Sequence, residues 1–329
     1  MRVGLVFDLF EDHPLGAGDP PDADAEHEPP ETVAALEGAL RRLDHNPVRL
    51  GTPRDLLAQM GTLDVDAVVN IAESAGSRNR EAHAPVLLEL AGVPFLGSDA
   101  LSLSLTLDKA YTSDLARVAG VNALTYRSYR HADDVDESDL PGDFPLFVKP
   151  RREGSSMGLS PASKVGNASE LRSQVEHIAA TYEQDALVEP FVEGGGEFTV
   201  AVVSNDPPEA LPVLQRAVEA ETRIGLHALE HRGALERDWT HELGGTLAPA
   251  LEDELKKQAV CVYEKLRCKD FARADFRIDD DGTPWFLEIN PLPTFKPGDT
   301  FAIVAELMNR EYEDFLAGVL QNGFERLGV

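Results

Sequence analysis

Short apolar runs alternate with helix-spaced apolar residues along the first hundred positions. Continuous runs predict buried strands, and apolar residues repeated every three or four positions predict amphipathic helices. In chain order the two patterns fall at 1–9, 31–43, 66–72, 82–91 and 93–97. Alternating strands and helices are typical of an open parallel α/β unit. We therefore predict such a unit over residues 1–98, with a long acidic loop, rich in proline and glycine, at 10–30.

The remaining two thirds of the chain follow a looser pattern, which predicts two further units at 99–192 and 193–329. Helices are predicted at 106–118, 249–267 and 301–327, and strands at 144–150 and 186–192. A glycine hinge is predicted at 193–203, running into a further strand. The segment 218–246 is polar and weakly periodic. It is either a mobile lid over a site or a plain surface excursion.

Residues 271–290 read FARADFRIDDDGTPWFLEIN and predict a β-hairpin, because Asp281-Gly282 is a dipeptide that tight turns prefer. A two-residue turn fixes the cross-strand pairs Ile278–Trp285, Phe276–Leu287, Asp275–Glu288 and Arg273–Asn290. One face is then apolar. The other face carries two acids directly opposite each other, beside an arginine and an asparagine.

Two facing carboxylates repel each other unless a cation lies between them. Carboxylate and amide oxygens are ligands that Mg²⁺ accepts, and Arg273 would serve a phosphate or a developing oxyanion. A solvated face with an ordinary arginine–carboxylate pair is the alternative that the hairpin alone leaves open.

Composition and charge narrow the class of protein. The chain has 43% hydrophobic and 27% charged residues, as globular proteins do, and its net charge of −28 argues against nucleic acid and anionic membranes as partners. Residues 1–10 resemble a first buried strand and not a secretory signal, and Cys261 and Cys268 are expected to be free thiols. We expect a cytoplasmic protein that contacts no membrane. Only eight of the 30 basic residues are lysines, which suggests a salt-loving host.

Two lysines lie where they could meet phosphate. Lys109 falls on the predicted helix 106–118, and Lys149 ends a short apolar strand before the loop REGSSMGLS at 152–160. Small residues in such a loop allow backbone N–H groups to approach an anion closely, although many loops of this composition are ordinary turns.

Taken together, these motifs resemble the ATP-grasp fold, and more narrowly its D-alanine–D-alanine ligase-like branch of carboxylate–amine ligases. The resemblance rests on LGSDALSLSLTLDK, KPRREGSSMGLS, LVEPFVEGGGEFTVAVV and FARADFRIDDDGTPWFLEIN. It implies an α/β (α+β) chain of three domains: an N-terminal Rossmann-like domain, a small central lid domain, and a C-terminal mixed domain. The ATP and magnesium site would lie between the last two.

The resemblance also implies roles for particular residues. The nucleotide would be held by Lys109, Lys149, Ser155, Ser156, Met157, Glu189, the backbone of Val192, and Glu197. Asp275, Glu288 and Asn290 would hold two Mg²⁺ ions, for which Mn²⁺ could substitute. Arg273 would stabilise the acyl phosphate and the tetrahedral intermediate, Ser155 would assist catalysis, and Glu26 would bind the amino group of the first substrate.

Some family positions differ here. The segment 72–82 lacks the family's histidine, Thr294 stands where the dipeptide-forming enzymes have a glycine, and Asp299 replaces a serine that grips a substrate carboxylate. The family's Lys-Tyr pair is not recognisable in 215–245. Asp299 would repel an incoming carboxylate. Arg78 and Arg80 likewise suggest that the substrate differs in charge from two D-alanines.

These observations predict an ADP-forming ligase that joins the carboxylate of an amino acid or small peptide to an amine, or to a thiol, through an acyl phosphate. The substrates would be small molecules other than two D-alanines, and the enzyme could form homodimers. Two alternatives stay open: a genuine D-alanine–D-alanine ligase, and an ATP-binding regulator that has lost the chemistry.

Overall fold

The computed structural model describes residues 1–12, 15–194, 196–225, 241–242 and 247–329. The predicted lid at 218–246 therefore lies largely outside the described residues, and so does Gly195. In the part of the chain that is described, no helix is long and apolar enough to cross a membrane.

The N-terminal part forms a four-stranded parallel sheet in the order β2-β1-β3-β4. Its strands are β1 (Arg2–Val6), β2 (Asn46–Gly51), β3 (Ala67–Asn70) and β4 (Phe95–Leu96), and its helices are α1 (Pro30–Arg42), α2 (Pro53–Gln59) and α3 (His83–Ala91). The predicted strands and helices are confirmed. Strand β2 and helix α2 were not predicted, although Thr52 begins α2 with a capping box in which it accepts a hydrogen bond from Asp55 N.

The prediction of one continuous helix at 106–118 is wrong. Two helices, α4 (Ala100–Leu107) and α5 (Lys109–Val118), meet at Asp108. Asp108 has an extended backbone, and its carboxylate accepts hydrogen bonds from the N–H groups of Ala110 and Tyr111. This N-cap begins α5 and places Lys109 in its first turn.

A second, antiparallel sheet has the order β5-β8-β6-β7 and packs against α6 (Ala168–Tyr182). Its strands are β5 (Arg127–Tyr129), β6 (Leu146–Pro150), β7 (Lys164–Val165) and β8 (Ala186–Pro190). A separate cluster of buried residues, including Val148, Val175 and Val188, fills the space between this sheet and α6. The central part of the chain therefore has a hydrophobic core of its own.

The C-terminal part is built on an antiparallel sheet in the order β10-β9-β14-β15, with β11 also paired to β9. Its strands are β9 (Gly196–Val203), β10 (Glu209–Ala210), β11 (Leu214–Arg216), β14 (Phe271–Ile278) and β15 (Pro284–Asn290); β12 (Val218–Glu219) and β13 (His241–Glu242) form a separate pair. The helices are α7 (Pro249–Lys265), α8 (Thr300–Leu307) and α9 (Tyr312–Leu327). The helix predicted at 301–327 is thus two helices.

The hairpin exists, and half of its predicted register is confirmed. Arg273 lies opposite Asn290, and Asp275 opposite Glu288. Beyond that point a β-bulge at Leu287 shifts the register by one residue. The other half of the prediction is therefore wrong: Phe276 pairs with Phe286, and not with Leu287.

Packing explains the bulge. The Phe286 ring lies 5.7 Å from the Phe276 ring in an edge-to-face arrangement and is almost fully buried. Its backbone N–H donates to Asn122 O at 2.8 Å. Without the extra residue at Leu287, the phenylalanine would point to the opposite face of the sheet. The turn is correspondingly longer than two residues, and Asp279 N donates to Thr283 O across it at 3.1 Å.

Two further packing facts bear on the predicted domain division. Ala116 and Val121, from α5 and the turn after it, lie in the range predicted as the central unit. They are nevertheless buried in the same core as residues of β9, β14 and α7, which belong to the C-terminal part. One continuous core also joins α1 and β1 to Phe271 and α9. Cys261 and Cys268 are both free thiols, as expected.

Candidate active site

A cleft between the central sheet and the hairpin collects most of the residues predicted to bind the nucleotide. Its walls come from β6 and β8 on one side and from β14 and β15 on the other. The predicted nucleotide-binding residues on its walls are Lys109, Lys149, Ser156, Met157, Glu189, Val192 and Glu197. The predicted metal ligands Asp275 and Glu288 also line it. We call it the nucleotide cleft.

Both lysines are buried in this cleft and paired with acids. Lys149 Nζ lies 2.7 Å from Glu189 Oε2, and Lys109 Nζ lies 3.0 Å from Glu288 Oε2. Lys109 also donates to the backbone carbonyl of Glu153. Burial alone would lower the pKa of Lys109, but the carboxylates of Glu288, Glu26 and Glu153 together raise it. The cleft therefore carries two fixed positive charges suited to phosphate.

The facing acids of the hairpin are stabilised by protein cations. Asp275 accepts from Thr199 Oγ1 at 2.6 Å and lies 3.0 Å from Arg273 Nη2. Burial would raise the pKa of Glu288, but Lys109 and Lys149 together lower it to about 2. The repulsion that the sequence analysis attributed to a missing Mg²⁺ is thus already offset, because each carboxylate has a cation of its own.

The donor set nevertheless fits a divalent cation. Asp275, Glu288 and Asn290 present carboxylate and amide oxygens on adjacent strands, which are the oxygen ligands that Mg²⁺ takes. In the described ranges no three His, Cys, Asp or Glu side chains are grouped to hold a metal by themselves. Phosphate oxygens would complete the coordination. The Asn290 Oδ1 atom also accepts from Leu292 N at 2.8 Å, which orients its side chain.

The glycine loop has an unusual backbone. Ser155 and Ser156 have φ values of 43° and 59°, and Gly158 has φ of 75°. Left-handed conformations at two consecutive serines carry a steric cost and are found where a segment is shaped for function. Turns with such residues direct N–H groups into one concave surface, which is the geometry of an anion-binding nest.

A second cavity adjoins the first, and we call it the substrate cavity. Arg273, Asn290 and Ser155 line it together with acids from the loop before α1, including Glu26 and Glu28. Ser156 and Glu288 line both cavities. The long loop at 10–30 therefore forms a wall of the site and is not a mere connection.

Glu26 is buried in a bidentate ion pair. Arg80 Nη2 lies 2.7 Å from Oε1 and Arg80 Nε lies 3.0 Å from Oε2, while Gly154 N donates to Oε1 at 2.6 Å. Arg80 also lies 2.9 Å from Glu153 Oε2. The sequence analysis treated Arg80 as available to a substrate. The structure shows instead that it joins three segments of the protein around the substrate cavity.

Several acids near Arg80 are held in a poorly solvated setting. Burial raises the pKa of Glu73 well above its ordinary value, and nearby Glu26 and Glu81 raise it further. Burial also raises the pKa of Glu81 to about 8, although Arg80 opposes it, and burial raises the pKa of Glu153. One arginine is thus surrounded by more carboxyl groups than it can neutralise.

This burial gives Glu81 a measurable effect on stability. A group whose pKa is raised from 4.5 to about 8 binds a proton more tightly in the folded state, so stability falls as pH rises through that window. Glu81→Gln removes the dependence. We expect the variant to gain stability relative to the native chain by roughly 1 kcal/mol for each pH unit between those limits.

Urea unfolding at pH 5 and pH 8 measures this effect, with Glu264→Gln on the exposed face of α7 as the control. Identical pH dependence in the native chain and in Glu81→Gln would contradict the assignment.

Thr294 and Asp299 both face the substrate cavity. Thr294 Oγ1 donates to Glu28 Oε2 at 2.8 Å. Asp299 caps α8 by accepting from Thr300 N, and it lies 3.7 Å from Arg216 Nη2. The charge of Asp299 is therefore partly offset by Arg216, a residue that sequence reasoning missed.

Arg277 was also missed as a site residue. Its guanidinium lies in the nucleotide cleft, 4.9 Å from the Phe191 ring centroid and 3.5 Å from Glu197 Oε2, and it donates to Val192 O at 3.0 Å. Burial lowers its pKa. Arg277 lies two residues after Asp275 on the same strand, so strand alternation puts both on one face of the hairpin. That alternation could have identified Arg277 as a site residue.

These features define the class. A mixed α/β chain with two lysines, a glycine loop and facing acids around one cleft is an ATP-grasp ligase, an enzyme that forms a carbon–nitrogen bond at the expense of ATP. Residues 115–321 match the family model described as D-ala D-ala ligase C-terminus. The chain therefore belongs to the D-alanine–D-alanine ligase-like family, whose members use ATP and Mg²⁺.

Two relatives that are more than 30% identical to this chain carry different descriptions. The chain is 32% identical over 277 residues to the uncharacterized protein y4sG of Sinorhizobium fredii, covering 83% of this chain and 78% of that one. It is 35% identical over 237 residues to a D-alanine–D-alanine ligase of Cupriavidus necator, covering 71% of this chain and 69% of the relative.

Solved structures share the fold at low identity. A D-alanine–D-alanine ligase from Bacillus anthracis, complexed with ATP, aligns with a TM-score of 0.74 at 19% identity over 99% of this chain and 98% of its own. The VanG D-Ala:D-Ser ligase from Enterococcus faecalis aligns with a TM-score of 0.73 at 18% identity, over 98% and 99%.

Proposed function

We propose that this ligase joins the carboxylate of an amino acid or small peptide to an amine, and that its substrates are not two D-alanines. The acid attacks the γ-phosphate of ATP to give an acyl phosphate and ADP. The amine then attacks the acyl carbon, phosphate leaves, and the amine loses a proton. The observation that carries this proposal is that Glu288 and Ser156 line both cavities, so that nucleotide and acid would meet there.

The chain's own groups suit both steps. Loose phosphoryl transfer depends on positioning and on neutralising charge, which Lys109 and Lys149 would supply on the nucleotide side. Arg273 reaches the substrate cavity from β14 and would stabilise the oxyanion of the tetrahedral intermediate. Asp275, Glu288 and Asn290 would hold two Mg²⁺ ions, or Mn²⁺ in their place, and the metal would neutralise phosphate charge. Glu189, Val192 and Glu197 would contact the base and ribose.

Two features of the cavity support substrates other than D-alanine pairs. The expected amino-binding acid, Glu26, is paired with Arg80, and Asp299 adds negative charge where a substrate carboxylate would enter. A D-alanine–D-alanine ligase is the second candidate, favoured by the relative from Cupriavidus necator and by a shared fold.

Release of ADP and phosphate in the presence of acid and amine pairs tests the proposal. We expect turnover to require both partners and Mg²⁺, and to be weak or absent with D-alanine as the only substrate. Saturable turnover with D-alanine alone would establish the second candidate. ADP release that needs no acceptor would overturn ligase activity.

A further inference from the structure

Glu73 is a buried acid of the substrate cavity that has no hydrogen-bond or ion-pair partner among the described residues. It follows β3 and lines the cavity, with only 8% of its surface exposed. Among the described residues, no donor lies within hydrogen-bonding distance of its carboxylate and no cation forms an ion pair with it. A buried carboxyl group left in that state is costly unless something else binds it.

The neighbouring acids of the cavity already have partners. Glu26 is held by Arg80 and Gly154 N, and Glu288 by Lys109. Glu28 accepts hydrogen bonds from Thr32 Oγ1 at 2.6 Å and from Thr294 Oγ1. Of these four acids, Glu73 alone has neither carboxylate oxygen in a hydrogen bond or ion pair with a described group.

Glu26 is therefore poorly placed to bind a substrate amine. Three donors of Arg80 and of the glycine loop already reach its two oxygens, at 2.6 to 3.0 Å. An incoming ammonium would have to displace a buried guanidinium, which would be left without its main counter-charge. The role expected of Glu26 is thus filled by the protein itself.

We propose that Glu73, and not Glu26, binds the ammonium group of the acid substrate, so that the ligase selects an amine-bearing carboxylic acid. The inference rests on the proposed function, because it places the acid in the cavity that Arg273 and Glu288 share. Its chemical content is a primary ammonium that donates to Glu73 while the carboxylate end of the same molecule faces Arg273.

Proton release provides a signature of this contact. The charged groups that face Glu73 are Glu26 and Glu28 from the loop before α1, and Arg80 and Glu81 from the turn before α3. Burial raises the pKa of Glu73, and three neighbouring acids against one arginine raise it further, which favours the protonated form. An ammonium ion bound beside Glu73 favours its charged form, so binding expels a proton and tightens as pH rises.

The experiment compares amino acids with their deaminated analogues. The chain is saturated with ADP and Mg²⁺ and titrated calorimetrically with D-alanine, L-alanine, β-alanine or 6-aminohexanoate, and with propionate or hexanoate. Buffers of low and high ionisation enthalpy report the protons released. Glu73→Gln is the test variant. Glu81→Gln is the matched control, since Glu81 is similarly buried beside Arg80 and does not line the cavity.

We expect at least one amino acid to bind more tightly than its deaminated analogue, with release of protons on binding. Glu73→Gln should abolish the proton release and weaken binding by about 10- to 100-fold, as for a lost charge-assisted hydrogen bond. It should leave ADP affinity unchanged, and Glu81→Gln should keep both the amine preference and the proton release.

Three results would overturn the inference: no binding of any amino acid in the set, equal binding of the deaminated acids, or an unchanged amine preference in Glu73→Gln. ADP formation with a deaminated acid and an amine would sink the inference while sustaining the proposed ligase function. If amino acids bind selectively through Glu73 but no acid supports ADP formation, the inference about Glu73 stands and the proposed ligase function is wrong.

Discussion

Glu288→Gln is expected to reduce ADP formation by a factor on the order of 10³ or more while leaving the fold intact. The substitution keeps the size of the side chain but removes its charge, so it loses the proposed metal ligand and the counter-charge of Lys109, 3.0 Å away. Steady-state ADP release over a range of Mg²⁺ concentrations measures the effect. The loss should persist at saturating ATP, since the reaction and not only nucleotide binding depends on this group.

The matched control is Asp281→Asn, an exposed acid at the turn of the same hairpin that lines neither cavity. It should retain native activity. Full activity in Glu288→Gln would remove this carboxylate from the metal site and weaken the ATP and magnesium assignment of the whole hairpin.

Arg80→Leu is expected to be the most destabilising single change near the site, by about 3–5 kcal/mol at pH 8, because it leaves buried carboxylates without their cation. Arg80 is 5% exposed and pairs with both Glu26 and Glu153. The loss should be smaller at pH 5 than at pH 8, because added protons neutralise carboxylates that have lost their counter-charge. Urea unfolding at the two pH values gives both numbers.

Arg78→Leu serves as the control, since Arg78 is an exposed arginine only two residues away. It should change stability by less than about 0.5 kcal/mol. A loss below about 1 kcal/mol in Arg80→Leu would show that the ion pairs contribute little and that the acids are neutral in the folded protein.

Much of the fold could be predicted from local sequence patterns. The strand and helix alternation in the first hundred residues, the hairpin, and the facing of Asp275 and Glu288 all follow from periodicity and turn chemistry. The bulge at Leu287 does not, because it is decided by whether Phe286 packs against Phe276, which is a tertiary matter. The break at Asp108 was readable as an N-cap, but the apolar spacing on both sides concealed it.

The residues of the candidate site likewise fall into those that local motifs predict and those that depend on contacts between distant positions. Residues carried by short motifs, such as Lys149 and the glycine loop, lie at the nucleotide cleft as the resemblance implied, although their roles stay predictions. The pairing of Glu26 with Arg80 joins positions 54 residues apart, and no local pattern encodes such a contact. What the sequence could not show was which charges of the substrate cavity the protein itself already satisfies.

The aromatic core at the C-terminus has a consequence for motion. Phe271, Phe295, Phe301 and Phe315 form a chain of ring contacts between 5.0 and 6.4 Å, and they share one core with β1 and α1. Close-packed interiors resist deformation, so the N-terminal and C-terminal parts should move as one rigid body. The central sheet has a buried cluster of its own, so any motion that admits the nucleotide is expected to displace this sheet relative to the other two parts.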